Sequence, residues 1–234
     1  KLIKRKRKKI RLNYILAQIY QYTNNYSLAQ KHYELVLKSN PEYEMAFNAK
    51  MNLARSLGGG DSDSKKMKEK LLKMTRDDKN KEYLDQIYYT VAEMEINNQD
   101  TASAIENYTL SAVNSVENNS QKALSFLALG KISFERGQYK LANTHYDSTI
   151  FYMDSDFRLY EKTNDRYLIL EDLVSNINVV EMQDSLQMLA KLPKSEQNAI
   201  IGGIIREELE KERRAAEDQR LKQQMMYESG RNRG

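Results

Sequence analysis

The order of small and aromatic residues in 16–41, LAQIYQYTNNYSLAQKHYELVLKSNP, returns further along the chain, and this recurrence limits the fold more than any other feature. Aligned with 126–154, FLALGKISFERGQYKLANTHYDSTIFYMD, Leu16-Ala17 falls on Leu129-Gly130, Tyr26 on Tyr139, Ala29 on Ala142 and Tyr33 on Tyr146. A third copy, starting at Tyr88, aligns through Val91-Ala92, Ala104 and Tyr108. No gap is needed inside any copy. Ala29 to Ala104 is 75 residues and Ala104 to Ala142 is 38, so the first interval has room for two units.

Paired antiparallel helices explain this order. Small residues at the closest approach let two backbones pack tightly: Ala17, Ala92 and Gly130 on first helices, Ala29, Ala104 and Ala142 on second helices. Tyr33, Tyr108 and Tyr146 then fill the wider gap to the next pair. Asn24-Asn25, Asn98-Gln99 and Arg136-Gly137 supply turn residues, and Pro41 ends a second helix because it has no N–H and a fixed φ. The unit inside the long interval is irregular. EMAFNAKMNLARSL gives a first helix with Ala46, Ala49, Leu53 and Leu57 on one face, and SKKMKEKLLKMT a second with Met67, Leu71 and Met74 inward. The stretch between, GGGDSDS, lacks the preceding strand and the lysine of a phosphate-binding loop, so it is expected to be an extended turn.

Composition supports helices throughout. Only Pro41 and Pro193 interrupt the chain, and no Val/Ile/Thr-rich alternating run indicates a sheet. Cysteine is absent, which excludes disulfides, thiolate metal sites and a cysteine nucleophile. The net charge of +4 divides unevenly: residues 1–11, KLIKRKRKKIR, hold eight of the 37 basic residues and no acid. The remainder has 29 basic against 33 acidic residues, a mildly acidic body behind a basic arm. That arm is either a solvated helix end leading into the first unit or a contact for nucleic acid or anionic lipid.

These features resemble the tetratricopeptide repeat, whose period is about 34 residues. The resemblance implies an all-α helical solenoid with about four repeats at 11–41, 42–75, 82–115 and 121–154, after a basic helix end at 1–10. It departs from the family at the usual first-helix tryptophan, where Asn13, Tyr88 and Phe126 stand. Residues 155–194 are expected to form a degenerate repeat or a capping helix pair. A long helix would carry Tyr167, Leu168, Leu170, Leu173, Val174 and Ile177, and DSLQMLAKLP would be its short partner. Residues 195–234 are expected to start at a capping box from Ser195 to Asn198. They would run on as a charged helix, solvated or packed on a partner, and end in a disordered tail.

Catalytic patterns do not emerge. His32 and His145 occupy the same register, more than a hundred residues apart, and neither has the accompanying ligands of a metal site. No nucleophile motif is present, so the expectation is a non-enzymatic protein with neither metal nor cofactor. In the repeat family the first helices line a concave groove. Carried over to matching positions, this implies partner contacts at Arg11, Tyr14, Gln18, Gln21, Gln86, Tyr89, Glu93, Leu127, Lys131 and Glu135. Tyr14 and Gln18 stand where chaperone-binding members begin a carboxylate clamp, so a folded surface or helix is the expected ligand.

With the ending VVEMQDSLQMLAKLPKSEQNAIIGGII, the chain is similar to tetratricopeptide lipoproteins of the Bacteroidetes gliding motility and type IX secretion machinery, the SprE/PorW group. That resemblance implies an internal segment of a larger protein, lipid-anchored to the outer membrane through residues outside this segment and facing the periplasm. It would be a protein-binding scaffold joining components of the secretion and motility complex. The alternative from the residues alone is an adaptor that binds nucleic acid or anionic membrane through its basic arm.

Overall fold

The computed structural model describes the backbone of residues 2–57 and 62–231 and the side chains of residues 6–57 and 62–225. Among these residues the protein is all-α, with ten α-helices, one 3-10 helix and no strand. The first pair is α1 (Leu2–Tyr22) and α2 (Tyr26–Lys38), the second α3 (Tyr43–Ser56) and α4 (Ser62–Met74). After a 3-10 helix at Asp78–Tyr83 come α5 (Leu84–Asn97) with α6 (Thr101–Asn114), then α7 (Asn119–Glu135) with α8 (Tyr139–Tyr152). Two long helices follow, α9 (Tyr160–Ala190) and α10 (Lys194–Arg231). The chain divides into two compact units, 1–174 and 175–234.

Three of the four pairs close with one turn. Asn24, Gln99 and Gly137 hold the same register and all have positive φ, 58°, 62° and 71°. In each copy the next residue's N–H reaches back to the carbonyl five residues earlier: Asn25 to Tyr20, Asp100 to Glu95 and Gln138 to Ser133, at 2.8–2.9 Å. This is a left-handed helix C-cap that satisfies otherwise orphaned carbonyls and reverses the chain within three residues. Glycine and asparagine adopt that conformation readily. Gln99 adopts it because the pair around it is packed.

All nine residues expected at the packing positions are buried: Ala17, Ala29, Tyr33, Ala92, Ala104, Tyr108, Gly130, Ala142 and Tyr146. A Cβ placed on Gly130 would lie 3.1 Å from the Tyr146 ring, so α7 and α8 approach more closely there than alanine permits without adjustment. The irregular pair has its own small residue in this series. Ala54, fully buried, stands 38 residues before Ala92. Its second helix differs: 12 and 16 residues after Ala54, where the other copies have alanine and tyrosine, stand Lys66 and Lys70, and the buried residues of α4 are Ser64 and Leu71. α3 and α4 touch at few points. The space bordered by α2, α3 and α4 is an open cleft of about 590 Å³. Lys68 of α4 compensates through a 2.6 Å ion pair with the buried Glu95 of α5.

Several expectations at the edges are corrected. The GGGDSDS turn is shorter, since Ser62–Ser64 already belong to α4; its glycines at 58–60 lie outside the described residues. Residues 155–194 do not form a capping helix pair. A single 31-residue helix spans the stretch, because nothing between 160 and 190 breaks a helix before Pro193. Of its expected apolar face, Leu170 is buried while Leu168 is 51% exposed. Ser195 is not a cap: α10 begins at Lys194, and the Pro193 carbonyl accepts from the Glu196 and Gln197 N–H groups. The tail continues as helix to Arg231 rather than fraying from residue 227. No helix among the described residues is long and apolar enough to cross a membrane.

Candidate functional site: a groove across the first helices

One residue follows the small residue in every first helix: Gln18 on α1, Arg55 on α3, Glu93 on α5 and Lys131 on α7. Because the preceding residue is fixed against the second helix, this next position is turned about 100° away from the contact. Gln18, Arg55 and Glu93 meet in a groove of about 500 Å³, completed by Gln21, Tyr22, Asn52, Tyr89 and Leu124. Lys131 and Glu135 border the adjoining cleft of about 330 Å³, which shares Tyr89 and Leu124 with the groove.

Polar contacts tie the groove floor together across α1, α3 and α5. Arg55 Nε donates to Glu93 Oε2 at 2.6 Å, and an Arg55 terminal nitrogen donates to Asn52 Oδ1 at 3.3 Å. Asn52 in turn donates its amide to the Tyr14 hydroxyl at 3.3 Å. The guanidinium also sits 5.8 Å from the Tyr89 ring centre. Both members of the Arg55–Glu93 pair remain about 30% exposed, 30% and 32%, so the pair adds only about 0–1 kcal/mol to the fold. Its larger consequence is a fixed guanidinium edge and a fixed carboxylate presented to the groove.

Beneath the polar layer, aromatic rings set the depth. Tyr14 meets Tyr33 edge-on at 5.9 Å, and Tyr89 meets Tyr108 edge-on at 5.2 Å. Such pairs are each worth about 0.5–1.5 kcal/mol beyond their buried area. The Tyr33 hydroxyl donates to Gln21 Oε1 at 2.7 Å, which fixes that amide with its nitrogen left to donate elsewhere. Burial pushes the Tyr89 hydroxyl up to about 12 and raises Tyr14, Tyr33 and Tyr108 in the same direction. These phenols therefore stay protonated.

Gln18, Gln21, Tyr89 and Glu93 thus come together as the sequence suggested, and Tyr14 joins them through Asn52. Arg11 and Gln86 line neither the groove nor the adjoining cleft. Leu127 lines the adjoining cleft with Lys131 and Glu135, but from the core: it is 5% exposed and clustered with Ala123, Ala142 and Tyr146. It shares the register of Tyr14 and Tyr89. Tyr22, Asn52, Arg55 and Leu124 had no part in the sequence reading. Ala54 was the available signal for Arg55, since it extends the Ala92–Gly130 spacing backwards by one unit.

The histidines have local partners. His32 Nδ1 lies 2.9 Å from Asn13 Oδ1 and its ring stacks on Tyr20; His145 stacks on Phe126, the residue in the register of Asn13. Burial pushes the His145 imidazole below its usual range. Among the described residues no group of three histidine, aspartate or glutamate side chains is arranged to hold a metal ion. A second polar cluster lies at the α5, α6 and α7 contact, where Asp85 and Asn118 border another open pocket. The buried Asp85 accepts from the Gln86 N–H at 2.8 Å and from Asn118 Nδ2 at 2.9 Å. The Ser111 hydroxyl donates to the Asp85 carbonyl at 2.7 Å, binding α5 to α6.

No protein-family model matches this chain, and no curated protein matches its sequence.

Proposed function

We propose that this chain is a non-enzymatic, protein-binding scaffold of the tetratricopeptide type, with the first-helix groove as its recognition face. The observation that carries the reading is the convergence of Gln18, Asn52, Arg55 and Glu93, together with Tyr89, from three successive first helices into one open groove. Arginine and tyrosine are the side chains that most often anchor protein interfaces, because each combines area with directed hydrogen bonding. A groove with a fixed cation and a fixed anion side by side suits a folded or helical surface carrying both charges. Neither a single charged terminus nor a small apolar molecule would use both groups. The resemblance to the outer-membrane lipoproteins of gliding and type IX secretion supports a periplasm-facing place in that complex, anchored through residues outside this segment.

A native-envelope pull-down with this chain as bait tests the reading. Captured secretion or motility proteins should be lost when Gln18, Arg55, Tyr89 and Glu93 are changed together to alanine, with helical circular dichroism unchanged. Capture that survives those changes rejects the groove. The exposed Lys6, Arg7, Lys8 and Lys9 on α1 support the second reading, contact with nucleic acid or anionic lipid. Retention of nucleic acid or lipid that high salt removes would favour that reading over the scaffold.

A further inference from the structure

One helix pair lacks the side chains that fill the others. Four residues before the small residue of α1, α5 and α7 stand Asn13, Tyr88 and Phe126, and their second helices carry alanine and tyrosine 12 and 16 residues after it. On the same spacing from Ala54, α3 and α4 carry Lys50, Lys66 and Lys70. All three lysines border the open cleft of about 590 Å³ between α2, α3 and α4.

That cleft joins two chemistries. Its floor is aliphatic: Leu53 and Leu71 are buried, and Leu37, Leu57, Met67 and Met74 are half-buried. Its border is cationic, with four lysines (the fourth is Lys38) against two acids, Glu34 and Asp63. Both acids already pair on their own helices, Glu34 with Lys38 at 3.2 Å and Asp63 with Lys66 at 3.7 Å. Lys50 and Lys70 are exposed and have no acidic partner among the described residues. An anion carried on an apolar body satisfies floor and border together, and the volume falls within the small-ligand range of about 300–1,000 Å³. A helix laid along α4 from Asp63 to Met74, about 16 Å long and about 10–12 Å across, would displace roughly twice the volume of the cleft. An extended peptide would bring a backbone donor and acceptor at every residue. The leucine and methionine floor offers them nothing, and the Gln30 amide at its edge already donates to the Ser56 carbonyl. An aliphatic chain has no such groups to satisfy.

We propose that this cleft binds one long-chain carboxylate, with the aliphatic chain on the leucine and methionine floor and the head group at Lys50 and Lys70. It shares no residue with the first-helix groove, so the two sites can be tested apart. Dodecanoate below its micellar concentration is titrated into the full chain by calorimetry, and the methionine methyl groups are followed by NMR. The expected result is one site per chain, with shifts at Met67 and Met74 and none at the exposed Met225. Lys50→Gln with Lys70→Gln should weaken binding about tenfold, as the loss of two exposed charge contacts would. Helical circular dichroism should not change, since both side chains are exposed. Dodecyltrimethylammonium, with the same chain and the opposite charge, should not bind. Absence of dodecanoate binding overturns the proposal. So does binding indifferent to the two lysine changes, equal uptake of the cationic amphiphile, or shifts that bypass Met67 and Met74. A synthetic amphipathic Leu/Glu helix that shifts these methionines when dodecanoate does not would overturn it in favour of an acidic protein segment.

Discussion

Every buried apolar residue among those described lies between Ile10 and Leu170, and between 175 and 225 there is none. Both regions are helical, yet for different physical reasons. In the first, α2 to α6 and α8 have 13 or 14 residues, about the length at which isolated helices are marginal in water, and tertiary packing of their apolar faces holds them. In the second, α10 relies on local terms: Lys211 pairs with Glu207 and Glu208, and Glu210 with Arg213 and Arg214. Each such helix pair is worth only about 0.3–0.5 kcal/mol and weakens with salt. Helical structure alone therefore says little about where the stability of this chain resides.

The contrast is broken most directly by truncating one apolar side chain in each region. Tyr33→Ala removes a fully buried ring from between α1, α2 and α3 and should destabilise by about 3–5 kcal/mol in urea unfolding. Val180→Ala, at a site 59% exposed, should stay within about 0.5 kcal/mol. Similar losses at both sites would mean that the second region has a core of its own. A middle-sized effect is expected from Asp85→Ala, about 1–3 kcal/mol, because the Asn118 amide and the Gln86 N–H lose their buried acceptor. The same measurement of midpoint and slope reads it, and no change would make the Asp85 carboxylate incidental to the hold of α5 on the start of α7.

The smallest effect is a pH slope belonging to the packed region. Burial depresses the folded-state pKa of His145 below its ordinary value of 6.5, so the unfolded chain takes up this proton first. The contribution is fully present above pH about 6.5 and is lost as pH falls through the folded-state value. The difference in Tm between the native chain and His145→Gln should therefore shrink from neutral to acid pH. A difference constant across that window would mean that the imidazole is solvated.

Much of the packed region was legible because its rule is steric. Ala17, Ala92 and Gly130 could be found without coordinates, since a close helix approach admits nothing larger, and the turn register at Asn24, Gln99 and Gly137 followed from the same alignment. Arg55 was missed because the second helix of its pair lacks the alanine and tyrosine of the other copies, although Ala54 carried the spacing. Leu127 lines the cleft as its register suggested but is 5% exposed, because register fixes the direction of a side chain and not its burial.

By itself the sequence determined the all-helical class, the pairing of successive helices and the small residues at their contacts, since periodicity and volume act over a few residues. Only the tertiary structure decided that α3 and α4 stand apart and that Arg55 reaches Glu93 across 38 positions of chain. Those outcomes depend on how neighbouring pairs stack, and contact between residues distant in the chain leaves no local period to read.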